Sequence, residues 1–206
     1  MKFLVALVHA IAASQLLFDN PAPIIQEGRY SYPFNSANHL GLRFRAPSLG
    51  DYGNHPGFAV ISTLTLDYFK FSVETPKNIP TNASIWLRPE LCPSVNDLPA
   101  CNEPIASSRI PINGNVDKVN FQWTPKSPII LTPNTMYWFV LGSSSETKDI
   151  ALGWFRGDNS FSPQNDHKVD VRFVRYEGNT VKPVIGTIAP SLQVYAKSTL
   201  VLQCHC

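Results

Sequence analysis

Residues 131–145 read LTPNTMYWFVLGSSS, and this stretch decides the fold. Pro133-Asn134 is a turn pair that opens a strand, and Gly142 with the serines after it closes one. Successive side chains of a strand point to opposite faces. Tyr137, Phe139 and Leu141 therefore share one face, and Met136, Trp138 and Val140 share the other. A sandwich strand ordinarily buries one face and wets the other. Two apolar faces predict a central strand whose outer side is covered by a loop, the N-terminal segment, a second subunit or a ligand.

Short alternating segments separated by turn residues lie on both sides of it. HLGLRFRAP (39–47) sets Leu40, Leu42 and Phe44 against Gly41, Arg43 and Arg45. VISTLTLDYFKFSVE (60–74) alternates too, but its phase slips at Asp67-Tyr68, which reads as a β-bulge or as two strands meeting. ASIWLRPE (83–90) reads as a strand stopped by Pro89, and VNFQWTP (119–125) as one stopped by Pro125. ALGWF (151–155), VDVRFVRY (169–176) and SLQVYAK (191–197) continue the pattern. Outside the N-terminal apolar run, no segment carries a helical apolar period. The expectation is an all-β fold, an antiparallel two-sheet β-sandwich of jelly-roll-like form with about eight to ten strands.

Of the 206 residues, 44% are hydrophobic and 16% charged, below the roughly 25% charged of an ordinary soluble protein. With 18 prolines and 11 glycines the chain is turn-rich without being low-complexity. Seventeen basic residues against 15 acidic ones leave +2, which gives no electrostatic footprint for nucleic acid or an anionic membrane.

Lys2 followed by FLVALVHAIAAS has the order of a secretory signal peptide, with cleavage after Ser14 or Ala13. The uncharged run Phe3–Phe18 falls short of the roughly 20 residues a membrane span needs. The expected organisation is a signal peptide at 1–14, one β-sandwich domain at 15–198 and a C-terminal tail at 199–206. The mature protein is expected to be secreted, extracellular and without a membrane span.

Cysteines fit that compartment. Cys92 and Cys101 bracket PSVNDLPA, and bridging them closes a loop worth about 2.7 kcal/mol in the chain-entropy account. Cys204 and Cys206 flank His205, which reads as a frayed tail or a second disulfide; as a metal site it supplies three groups at most. Asn82-Ala83-Ser84 is a glycosylation sequon in a polar turn.

The Tyr-Trp segment resembles the choice-of-anchor family of bacterial surface domains, type R. The resemblance rests on Leu131, Asn134, Thr135, Tyr137, Trp138, Val140 and Leu141. FDN at 18–20, LGLRFRAP, VISTLTLDYFKFS, ASIWLR and ALGWF match more loosely, and the similarity runs over about residues 18–180. It implies a secreted β-sandwich and brings no catalytic residues. The chain departs from the family in its cysteine-bracketed loop and in its short tail STLVLQCHC, which is too short for a span or lipid-anchor signal.

The metalloprotease helix, nucleophile elbow, phosphate loop and dinucleotide fingerprint are absent from the sequence. His39, His55, His167 and His205 are scattered without ligand spacing. Glu90, Glu103, Asp158 and Asp170 are the acids on hand for a glycosidase pair. RGDNSFSPQNDHKVD (156–170) offers Asp158, Asn159, Asn165, Asp166 and Asp170 as oxygen ligands for Ca²⁺, but without calcium-loop spacing it reads as a solvated loop. Its Arg156-Gly157-Asp158 occurs too readily by chance to mark an adhesion site.

Aromatics are the remaining lead. Trp86, Trp123, Trp138 and Trp154, with Tyr30, Tyr32 and Tyr137, offer flat faces for sugar rings, or else fill the core. Trp86 is the best candidate, because Arg88 lies on the same side two residues on. The expected function is a non-catalytic extracellular module for binding or surface structure, with carbohydrate or another extracellular surface as partner. A structural wall or matrix protein, and a secreted hydrolase with a dispersed site, are the alternatives.

Overall fold

The computed structural model describes residues 14–23, 30–48, 58–75, 84–113, 118–146, 150–158 and 170–204. Two curled antiparallel sheets make up these residues, and no helix among them is long and apolar enough to cross a membrane. The first sheet runs β1 (Ser14–Asn20), β15 (Leu192–Cys204), β4 (Phe58–Glu74), β12 (Leu152–Phe155) and β2 (Ser31–Phe34), with β9 (Val119–Trp123) and β10 (Ile129–Leu131) also on β4. The second runs β14 (Thr180–Pro183), β13 (Phe173–Glu177), β3 (Leu40–Arg45), β11 (Met136–Ser143), β5 (Ile85–Val95) and β6 (Leu98–Pro99). On β5 also lie β7 (Ala106–Ser107) and β8 (Ile110–Ile112).

The described residues thus hold fifteen strands, more than the eight to ten expected. Most of the surplus comes from fragments two or three residues long, β6, β7, β8 and β10. Such pieces are too short to show alternation and are defined by the long strand they lie against.

Pro89 does not stop its strand. β5 continues through Pro89 and Pro93 to Val95. In a strand, N and C=O of one residue point to the same side. The Pro89 carbonyl accepts from Ser108 N at 3.1 Å and the Pro93 carbonyl from Ala100 N at 3.0 Å. Both prolines therefore turn their missing donor away from β11, and the β5–β11 ladder loses nothing.

The slip at Asp67 is a bulge. Tyr195 of β15 faces Tyr68 of β4 while Ala196 faces Leu66, which leaves Asp67 unopposed. β15 runs beyond residue 198, pairing through Cys204 with Phe58.

Between the sheets lies an aromatic layer centred on Phe139. Its ring sits 4.9 Å from Phe69, 5.2 Å from Phe71, 5.6 Å from Trp154 and 6.0 Å from Trp123. The buried indoles keep their N–H groups satisfied: Trp123 donates to Ser108 Oγ at 2.9 Å and Trp154 to the Ser191 carbonyl at 2.8 Å. Phe18 and Asn20 of the FDN motif are both fully buried. Asn20 donates its amide to the Ala189 and Pro190 carbonyls, and a Cβ on Gly157 would run into that amide.

β11 has two apolar faces, and a loop covers the outer one. Tyr137, Phe139 and Leu141 join the main core, while Trp138 and Val140 form a second cluster with Cys92 and Val174. Cys101, Tyr176 and Val181 pack on that cluster, and the Cys92–Cys101 disulfide ties the covering hairpin to β5. Trp138 donates its indole N–H to Ser94 Oγ at 3.1 Å.

Several expectations lie outside the described residues: the signal segment 1–13, the sequon Asn82, residues 159–169 of the polar loop, His55, and His205 with Cys206.

Candidate functional site

The disulfide hairpin covers only part of the second sheet's outer face. Along β5 the inward Ile85 and Leu87 alternate with the exposed Trp86 and Arg88, and from Glu90 to Cys92 both faces are buried. The wet half of the strand thus begins where the hairpin ends. Trp86 is 38% exposed, whereas Trp123, Trp138 and Trp154 are at most 3% exposed. Trp86 is fixed at its backbone: its N–H donates to Ser144 Oγ at 2.9 Å, and its carbonyl accepts from Ser144 N at 3.0 Å.

Two hollows meet at Arg88. The smaller, about 200 Å³, is lined by Trp86, Arg88, Arg109, Ser143 and Ser144 and contains no carboxylate. The larger, about 830 Å³, follows the edge of the hairpin past His39, Arg88, Glu90 and Tyr176 to Cys101 and Asn102. Counting about 3.3 Å per residue, Trp86, Arg88 and Glu90 lay out a line of about 13 Å on one face.

Arg88 is held from two sides. Its Nε lies 3.3 Å from Glu90 Oε1, and its Nη2 lies 3.4 Å from His39 Nδ1. His39 Nε2 is 3.0 Å from the Ser36 carbonyl, so that nitrogen carries the proton, while Arg88 Nη2 lies against the ring, 3.4 Å from Nδ1 and 3.5 Å from Nε2. The imidazole lies flat over Gly142, where a Cβ would stand only 3.0 Å from its Cδ2. Burial, together with the Arg88 charge, lowers the His39 pKa below 6.5 against the pull of the Ser36 hydrogen bond. Burial raises Glu90 above 4.5, opposed by Arg88. Tyr176, 5.9 Å from His39 between ring centroids, is raised by burial and by Glu90. Near neutral pH the line therefore presents an indole and a guanidinium whose direction is set.

Glu90, Cys92 and Cys101 come close enough to suggest metal ligands, but the two sulfurs are bonded to each other and neither is a thiolate. Asp170 is buried and paired with Arg45 at 3.0 Å. The Arg-Gly-Asp tripeptide is tied down, its three N–H groups donating to the Tyr30, Ala189 and Pro21 carbonyls. Tyr32 and Tyr137 are buried, while Tyr30 is exposed under the Arg156 guanidinium, 4.7 Å from its ring.

Of the sequence candidates, the fold brings Trp86, Arg88 and Glu90 together and leaves the other tryptophans in the core. His39, Tyr176 and Arg109 complete the site. The i, i+2, i+4 alternation of β5 is a signal for Glu90, whereas His39, just before β3, and Tyr176, on β13, are brought near only by the order of strands in the sheet.

No family model matches this sequence, and no curated protein matches it. Among solved structures, a chain of the T13 IBDV viral particle aligns over 89% of this chain at 11% identity, with a TM-score of 0.27. The alignment spans 44% of that chain, and a likeness of this size carries no argument about fold or function.

Proposed function

We propose that this chain is a secreted, non-catalytic binding module of the choice-of-anchor R kind, a jelly-roll-like sandwich that holds carbohydrate along Trp86, Arg88 and Glu90. The observation that carries the reading is the exposure of Trp86 beside Arg88 and Arg109 in one hollow, when the other three indoles are buried. An indole face takes the apolar side of a sugar ring, and fixed guanidinium groups beside it donate to hydroxyls. Arg88 is suited to this because Glu90 and His39 fix its direction before a ligand arrives.

A glycan array probed with the mature protein tests the reading, followed by titration of any hit against Trp86→Ala. Retention of a neutral sugar that drops at least tenfold in Trp86→Ala supports it. Silence across the array ends the carbohydrate reading and leaves a structural wall or matrix role. Release of shortened sugars from the array would move the chain to the hydrolases.

A further inference from the structure

We propose that the outer face of the first sheet carries a second, separate site, for a saccharide bearing acidic groups. It does not rest on the Trp86 reading, since it lies on the other sheet. Register places three cross-strand rows side by side on β15, β4 and β9. Tyr195 faces Tyr68; Gln193 faces Lys70, which faces Gln122; and Ser72 faces Asn120. Alternate positions of neighbouring strands share a face, so these side chains form one surface.

That surface is concave. Lys70, Ser72, Lys118, Asn120, Gln122 and Gln193 line a groove of about 400 Å³ whose lining residues include no carboxylate. The two tyrosine rings stack at 4.4 Å with 23° between their planes and close one end of the row. The Lys70 ammonium lies 5.4 Å from the Tyr68 ring and 5.2 Å from the Tyr195 ring. Among the described residues it is thus held by π faces and paired with no acid, which leaves the ammonium for a ligand. Asp19, on β1 beyond Gln193, accepts from Gln193 Nε2 at 2.8 Å, which leaves the Gln193 carbonyl as an acceptor. Ser72 Oγ donates to Asn120 Oδ1 at 2.6 Å, which leaves the Asn120 NH₂ as a donor.

Amide donors and acceptors in rows, a cation and an aromatic wall suit a hydroxyl-rich ring that carries an anion. A uronate and a sulfated sugar share that chemistry, and the probes separate them. Oligogalacturonate, its fully methyl-esterified form and dextran sulfate are titrated against the wild-type protein, Lys70→Met, Gln122→Ala and Trp86→Ala. The expected result is salt-sensitive binding of oligogalacturonate, weakened about tenfold in Lys70→Met and similarly by esterification. Trp86→Ala should leave it unchanged. Gln122→Ala, an exposed change that cannot unfold the protein, should also weaken it. Binding of dextran sulfate in place of oligogalacturonate, with the same Lys70→Met loss, upholds the site and assigns the anion as sulfate. Binding of neither polyanion, or equal binding by wild type and Lys70→Met, overturns the proposal.

Discussion

Arg43, buried in β3, holds Asp97 at the tip of the disulfide hairpin, 2.7 Å from its Nη1. Asn96 and Asp97 form the two-residue turn between β5 and β6, with φ of 51° and 63°, the left-handed geometry of a tight hairpin. The guanidinium also lies 5.8 Å from the Trp138 ring, and its Nε donates to the Asp170 carbonyl at 2.9 Å. One cation therefore fastens the cover to the strand beneath it. Arg43→Met keeps most of the volume but removes these bonds, and should cost about 2 kcal/mol in urea unfolding. Amide exchange should speed up in residues 96–101 more than in β4. Unchanged exchange in the hairpin would show that Arg43 does not hold it.

The disulfide should act on the same cover by a different route. Cys92 and Cys101 are nine positions apart in sequence, and in the chain-entropy account removing their bridge costs about 2.7 kcal/mol. For a chain of this size that is a drop of about 5–10 °C in the unfolding midpoint. Cys92→Ala with Cys101→Ala also loosens the layer over Trp138, which is fully buried in the native protein. Emission from Trp138 should shift to the red before global unfolding, in a background where Trp86 is replaced by Phe. Coincident loss of all tryptophan signals would place the cover inside the global transition.

The alternation in residues 131–145 was enough to expect two buried faces on β11, because a period of two is local. The same stretch left four possible covers open. Choosing among them needed Cys92 and Cys101 closed over Trp138, a contact across 46 residues of sequence that no local period carries. Pro89 misled for a related reason. A proline breaks a ladder only on the side its nitrogen faces, and that side is a property of the sheet rather than of the segment. In the candidate site, Trp86 and Arg88 were legible as neighbours on one face. His39 and Tyr176 were not, since β3 and β13 reach β5 only through sheet order. The Tyr68–Tyr195 stack depends on the bulge at Asp67: without that slip the two rings would not be opposite one another.

Gly142 makes room for His39, and through it for Arg88. An alanine at 142 would press its Cβ against the imidazole at 3.0–3.2 Å, so the ring must move outward. The expected cost is about 1–2 kcal/mol from overpacking. More diagnostic is the titration of His39 followed by its ring proton resonances. With less burial and a looser contact to Arg88, its pKa should rise toward 6.5 in Gly142→Ala. A pKa that stays put would mean that the ring is not seated on this glycine.

His39 and Glu90 should make stability depend on pH with opposite signs. The folded state lowers the His39 pKa below 6.5, so below that pH the unfolded chain binds the proton more readily. The stability this group contributes is complete above pH 6.5 and is lost as the pH falls. Glu90 is raised above 4.5, so the folded chain binds its proton more tightly, and stability falls as the pH rises through that region. Arg88 faces both groups, and Tyr176, raised by burial, stays neutral. In the wild type the histidine's slope lies below pH 6.5 and the carboxyl's above pH 4.5, with opposite signs. Glu90→Gln should leave the histidine's share, with urea midpoints climbing toward pH 6.5. His39→Gln should leave the carboxyl's share, with midpoints falling as pH increases above 4.5. Parallel profiles for both variants would break the link between the groups that orient Arg88.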